Sequence, residues 1–154
     1  MTVNIAPTRA PLTLDVLAEP LSVWRFAADV DVSEWALRAG SFSSVTRTDD
    51  ELSVICATAR MPSMPLPAST VREDGWRALK VVGPFAFTED GVLLRVAAPL
   101  AAAGISILAM ATFDTDYVLV QETQLASAVA ELRAAGHTVR DTDAVRRDRA
   151  STAS

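Results

Sequence analysis

Four carboxylates mark where this chain could do chemistry. Asp114 and Asp116 interrupt the otherwise apolar run AAGISILAMATFDTDYVLVQ, and Glu89 and Asp90 open the segment TEDGVLLRVAAPLAAAG. By residue type alone the aspartates are turn formers, because a short acid bonds its own backbone and tolerates tight turns. Acids at a helix start complement its dipole, a contribution of roughly 0.3–1 kcal/mol each. Should Glu89 and Asp116 converge, they would make a diacidic site suited to an ammonium or, through its forked donors, a guanidinium. A hard divalent cation also wants carboxylate oxygens, but it needs more of them, and no further acids stand at loop spacing. A third reading makes the two acids a catalytic acid and base pair. That would require one carboxylate with a raised pKa, and the sequence offers no nucleophile beside it.

Other reactive residue types point to structure. His137 is the single histidine and opens the last predicted strand, far from any serine or cysteine arrangement. Cys56, the single cysteine, lies in the apolar run LSVICATA, where a buried inert thiol is expected, and alone it forms no internal disulfide. Trp24, Trp35 and Trp76 are expected in a core or an interface. The stretch GPFAFTEDG has two distant glycines and places acids where a phosphate needs donors, which argues against nucleotide binding. A net charge of −5 argues against nucleic acid, whose binding draws on a basic patch. No cofactor or metal is expected.

The elements that must position these residues fall into two halves. With 154 residues, half of them hydrophobic, the chain can bury a core as one large or two small domains. RMPSMPLPAST, with Pro62, Pro65 and Pro67, reads as an extended linker between about Pro11 to Ala59 and about Gly75 to Val139. The tail RDTDAVRRDRASTAS has almost no apolar residues and is expected to be disordered. It carries four arginines and three aspartates, +1, which leaves −6 on the body. The expected domains are 1–68, 69–139 and a tail over 140–154. The N-terminal MTVNIAPTRAPLTLD lacks a signal-peptide pattern, and a cytoplasmic protein is expected. VAAPLAAAGISILAMATF is uncharged over nearly a membrane span, but it is alanine-rich, holds Pro99 and Gly104, and changes period midway. It reads as a helix end, a stop and a strand.

In the second half GWRALKVVG predicts a strand. TEDGVLLRVAAPLAAAG predicts a helix with Thr88 as N-cap, a buried stripe of Val92, Val96 and Leu100, a kink at Pro99 and a stop at Gly104. ISILAMATF and YVLVQ predict strands joined across DTD, ETQLASAVAELRAAG a helix with stripe Leu125, Ala128, Val129 and Leu132, and HTV a last strand. The order βαββαβ is ferredoxin-like, an α+β class with helices on one face of an antiparallel sheet. ISILAMATF is apolar at nearly every position, so its second face needs a cover, either the N-terminal half or another copy of the chain. The first half supplies LTLDVL, LSVWRF, SFSSVTRT and ELSVICATA as strands, with a short helix SEWALRAG and a hairpin at TDDE. It reads as a degenerate sister of the second half.

GWRALKVVGPFAF, EDGVLLRVAAPLAAAGIS and ATFDTDYVLVQ together resemble the ACT domains of small bacterial tandem ACT-like proteins and of the CASTOR-type cytosolic arginine sensors. The likeness covers about Trp76 to Leu132, with a thinner match over SFSSVTRTDDELSVIC. It implies a non-catalytic regulatory module of two tandem ACT-like subdomains that binds an L-amino acid, arginine being the first to test. By the same resemblance the ligand's basic group falls to Glu89, with Gly91, Val92 and Leu93 at the helix start and Thr112, Phe113 and Asp116 at the strand end. Ser106 and Ile107 would come from a facing domain. A sensor carries four such domains and this chain half that number, so the resemblance implies a homodimer closing the site, with an effector enzyme downstream. Where the sensor's loop has a glycine, this chain has Ala86. The competing expectation is a ligand-free dimeric scaffold or protein-interaction domain.

Overall fold

The computed structural model describes residues 10–31, 34–37, 40–60, 62, 65–86 and 88–142. The chain runs β1 (Thr13–Val16), β2 (Leu21–Phe26), α1 (Glu34–Leu37), β3 (Ser44–Arg47), β4 (Leu52–Ala57), β5 (Val71–Val81), α2 (Val92–Ala102), β6 (Ile107–Ala111), β7 (Asp116–Gln121), α3 (Leu125–Ala134) and β8 (Thr138–Asp141). A 3-10 turn, Glu122–Gln124, leads into α3. From β5 onward this is the βαββαβ order expected from the sequence, and the class is α+β.

The strands make one mixed sheet. β5, at 11 residues, is long enough to serve both halves of the chain. Its first part pairs with β2, beyond which lie β4 and then β3. Its second part lies between β1 and β7, with β8 outside β1 and β6 outside β7. The expectation of wholly antiparallel sheets is therefore corrected, since β1 and β8 run parallel. The cause is the placement of LTLDVL: β1 drops Leu14 and Val16 into the core beneath the helices and satisfies its backbone on both edges.

Alternation along β5 and β7 divides two cores. Leu79, Val81, Val118 and Val120 face α2 and α3, where Val96, Leu100, Ala128 and Leu132 meet them, so the helical stripes are buried as their spacing predicts. On the other face Trp76, Ala78 and Leu119, with Leu108 and Met110 of β6, meet Leu21, Phe42 and Ile55. The Phe42 ring lies 4.8 Å from that of Tyr117. The N-terminal half thus packs on the second face of ISILAMATF within one chain and half-buries Leu108 and Met110, while Ala109 and Ala111, on the same face as Ile107, are exposed. A third cluster, Trp24, Phe26, Leu52 and Val54 with Trp35, lies under α1 and holds Cys56, whose thiol burial pushes above its usual pKa. Where β2 and β5 slip register, Asp74 accepts from the buried Ser22 hydroxyl at 2.6 Å and pairs with Arg72. The Ser22 bond, ahead of the arginine, holds that carboxyl below its usual pKa.

α2 begins later than expected. Gly91 occupies its cap position at φ 74° without a side-chain cap, and the first helical bond runs from Arg95 N–H to Gly91 C=O. Thr88 is therefore not the N-cap. It sits in a preceding turn closed by Glu89 N–H to Ala86 C=O, and the left-handed step at Gly91, cheap for glycine alone, separates that turn from the helix. Pro99 stays inside the helix and leaves the Arg95 carbonyl without its i+4 donor. His137 fills the gap: Nε2 donates to Arg95 C=O at 3.1 Å while Nδ1 accepts Leu12 N–H at 3.2 Å. That pairing selects the tautomer with its proton on Nε2.

The uncharged stretch from Val96 to Phe113 is split between α2 and β6, and among the described residues no helix is long and apolar enough to cross a membrane. β8 takes in Arg140 and Asp141, with Arg140 forking onto Asp15 at 2.6 and 2.9 Å. Residues 143–154 of the expected tail lie outside the described residues.

Candidate functional site

Two loops meet at one end of the C-terminal layer. The first, residues 82–86 and 88–91, leaves β5 through a cis Gly83–Pro84 bond, and the second, residues 112–115, joins β6 to β7. A Cβ on Gly83 would stand 2.9 Å from the Asp114 carbonyl, so glycine permits the approach that lets Phe85 N–H donate to that carbonyl, also at 2.9 Å. The β6–β7 turn is built by threonines. Thr112 donates its hydroxyl to Thr115 C=O at 2.8 Å, and buried Thr115 donates its own to Val81 C=O at 2.5 Å, tying the turn to β5. The aspartates of DTD, expected as turn formers, act differently: Asp114 contributes its backbone oxygen and Asp116 begins β7. Thr115→Val should leave the Val81 carbonyl without its side-chain donor and cost about 1–3 kcal/mol, read as a lowered melting midpoint.

Between the loops lies a cleft of about 190 Å3. Phe85, Ala86, Glu89 and Val92 line one wall, and Ala111 to Asp116 line the other. Its charged groups are all acids, Glu89, Asp114 and Asp116. Phe113, 77% exposed, stands at the rim. Such a cleft suits a small cation carrying some apolar surface. Just outside it, Arg95 on α2 reaches Glu89 with Nη2 to Oε1 at 3.6 Å and donates from Nη1 to the Ala10 carbonyl at 2.8 Å.

Of the residues expected at a site, Glu89, Val92, Thr112, Phe113 and Asp116 come together here. Gly91 caps α2 nearby, and half-buried Leu93 packs against the helix-side core. Ser106 and Ile107 do not join them within one chain. Ile107 pairs with Val120 whereas Ala111 pairs with Asp116, so the two ends of β6 stand about 13 Å apart. Phe85, Asp114 as a lining acid and Arg95 are additions from the structure. Arg95 is the only cation in EDGVLLR, the one sequence signal that could have flagged it. Among the described residues no cluster of three or more histidines, cysteines or acids could hold a metal ion.

A model of the ACT domain matches residues 71–134, and an N-terminal-domain model matches residues 20–64. A solved Agobacterium tumefaciens protein is 36% identical with a TM-score of 0.76, over 86% of this chain and 95% of that one. The chain belongs to the ACT-domain family. A human relative of this ACT-domain protein, named cytosolic arginine sensor for mTORC1 subunit 1, is 28% identical over 82% of the chain. The chain spans 39% of the length of that relative. The Clostridium acetobutylicum aspartate kinase shares the fold at 13% identity and a TM-score of 0.61, over 79% of this chain and 34% of the kinase.

Proposed function

We propose that this ACT-domain protein binds a free L-amino acid in the cleft between residues 85–92 and 111–116, and that it regulates rather than catalyses. The observation that carries the reading is the meeting of Glu89 and Asp116 in a cleft whose charged lining is wholly acidic. A cationic group, an ammonium or a guanidinium, is what such a pair recognises, with Val92 and Phe113 taking the ligand's apolar part. The name of the human relative makes L-arginine the first candidate. Ser106 and Ile107 reach the cleft only from a second copy, so the ligand lies across a two-fold homodimer interface. The N-terminal half already packs on the second face of β6, so completing the pocket, more than covering that face, is the reason for the dimer. The setting is the cytoplasm, and the output is a stabilised dimer or a surface offered to an effector enzyme.

Thermal unfolding and size-exclusion chromatography against the common amino acids test this. A ligand at a hundred times its dissociation constant adds about 2.7 kcal/mol to stability and favours association if it spans the interface. A raised melting midpoint with L-arginine, together with a shift toward dimer, is expected. No shift with any amino acid would leave the ligand-free scaffold in its place.

A further inference from the structure

The carboxylate expected to receive the ligand's cation is already approached by a cation of the chain itself. Arg95 Nη2 stands 3.6 Å from Glu89 Oε1, beyond hydrogen-bond range yet within ion-pair range. Its Nη1 is committed to Ala10 C=O at 2.8 Å, and its buried Nε finds no acceptor among the described residues. The Arg95 side chain is 18% exposed, and its guanidinium is held by one good bond and one loose one. The Ala10 end of this bridge leads straight into β1: two residues on, Leu12 N–H donates to His137 Nδ1 and Leu12 C=O accepts from Thr138 N–H.

We propose that Arg95 is a resident competitor for the ligand's cationic group at Glu89, and that through Ala10 it couples occupancy of the cleft to the seating of the chain that enters β1. The inference rests on the amino-acid-binding reading above. A guanidinium or ammonium arriving at Glu89 neutralises the carboxylate and repels Arg95 as a like charge. Arg95, losing its anionic partner, is freer to swing to water and release Ala10. Linkage makes the coupling reciprocal: whatever frees the segment before β1 from Arg95 changes the affinity of the cleft by the same factor. The other charged groups of the cleft, Asp114 and Asp116, are acids and add no second competitor.

The test compares wild type, Arg95→Met, which keeps an apolar stem, and Glu89→Gln. Calorimetry with L-arginine reads affinity, and hydrogen exchange over residues 10–16 reads the seating of β1. Removing a part-exposed ion pair from the competition is expected to tighten L-arginine binding about two- to five-fold in Arg95→Met. Saturating L-arginine should speed exchange over residues 10–16 in wild type and leave Arg95→Met unmoved. Glu89→Gln without ligand should speed it too, a result that needs no binding at all. Equal or weaker affinity in Arg95→Met, with wild type binding, overturns the competitor and spares the binding reading. Unchanged exchange in Glu89→Gln overturns the coupling. Failure of both wild type and Arg95→Met to bind overturns the binding reading and the competitor with it.

Discussion

Replacing His137 with alanine is expected to destabilise the chain by about 2–4 kcal/mol, the cost of leaving two partly buried backbone groups without partners at about 1–3 kcal/mol each, less what water recovers. The groups are Leu12 N–H and Arg95 C=O, so the loss falls where β1, α2 and β8 converge. The size of the Arg95 part can be isolated. Pro99→Ala restores a backbone donor one turn along α2, so the Arg95 carbonyl no longer depends on the imidazole. In a double-mutant cycle His137→Ala should then cost about 1 kcal/mol less in the Pro99→Ala background than in wild type. Additive effects would show that the imidazole bond to Arg95 contributes nothing. Urea unfolding at fixed m-value is the measurement, since a constant slope confirms that stability alone has changed.

This pairing also shows where the sequence was legible. Pro99 is visible inside its helical pattern, and the donor it removes can be counted from sequence. Its replacement donor lies at His137, some forty residues away, and no local pattern joins them. The same division holds across the fold. Val92, Val96 and Leu100 announce their buried face because spacing of four is a local property of a helix. LTLDVL announces a strand but not its neighbours, since an alternating run pairs equally well in either half of the sheet; its seat between β5 and β8 is a tertiary choice. The Thr88 N-cap fails for a local reason, the left-handed step at Gly91 that starts α2 three residues later. At the candidate site the acids were visible as residue types, whereas their association came from the family likeness and not from composition. Thr112 stands in the sequence reading only as a strand-end site residue; that it and buried Thr115 build the turn is hidden there because the flanking aspartates are the stronger turn formers by statistics, yet the threonine hydroxyls make the bonds. Arg95 escaped because its approach to Glu89 runs across the glycine turn, outside the three- and four-residue spacing of a helix.

Neutralising Glu89 and Asp116 together, as Glu89→Gln with Asp116→Asn, is expected to abolish the response to L-arginine while leaving the fold nearly untouched. A hydrogen bond to a charged group contributes about 1.5–3 kcal/mol, so the loss of two amounts to about 3–6 kcal/mol, more than a hundredfold in affinity. The fold has little at stake in either side chain. The Glu89 pairing with Arg95 is loose and part-exposed, of the kind whose median contribution is about 0–1 kcal/mol. Asp116 holds its place in β7 through its pairing with Ala111, which asparagine preserves. Asp114→Asn is the internal control: its structural bond, the carbonyl that receives Phe85 N–H, belongs to the backbone and survives the change. A smaller fall in affinity is expected there, because only one carboxylate of the three is neutralised and Glu89 and Asp116 remain. Calorimetry and melting curves on the same samples separate the outcomes. Retained binding in the double variant would remove the two acids from the recognition of the ligand. A double variant that has lost both its binding and several degrees of stability would place these acids in the scaffold instead.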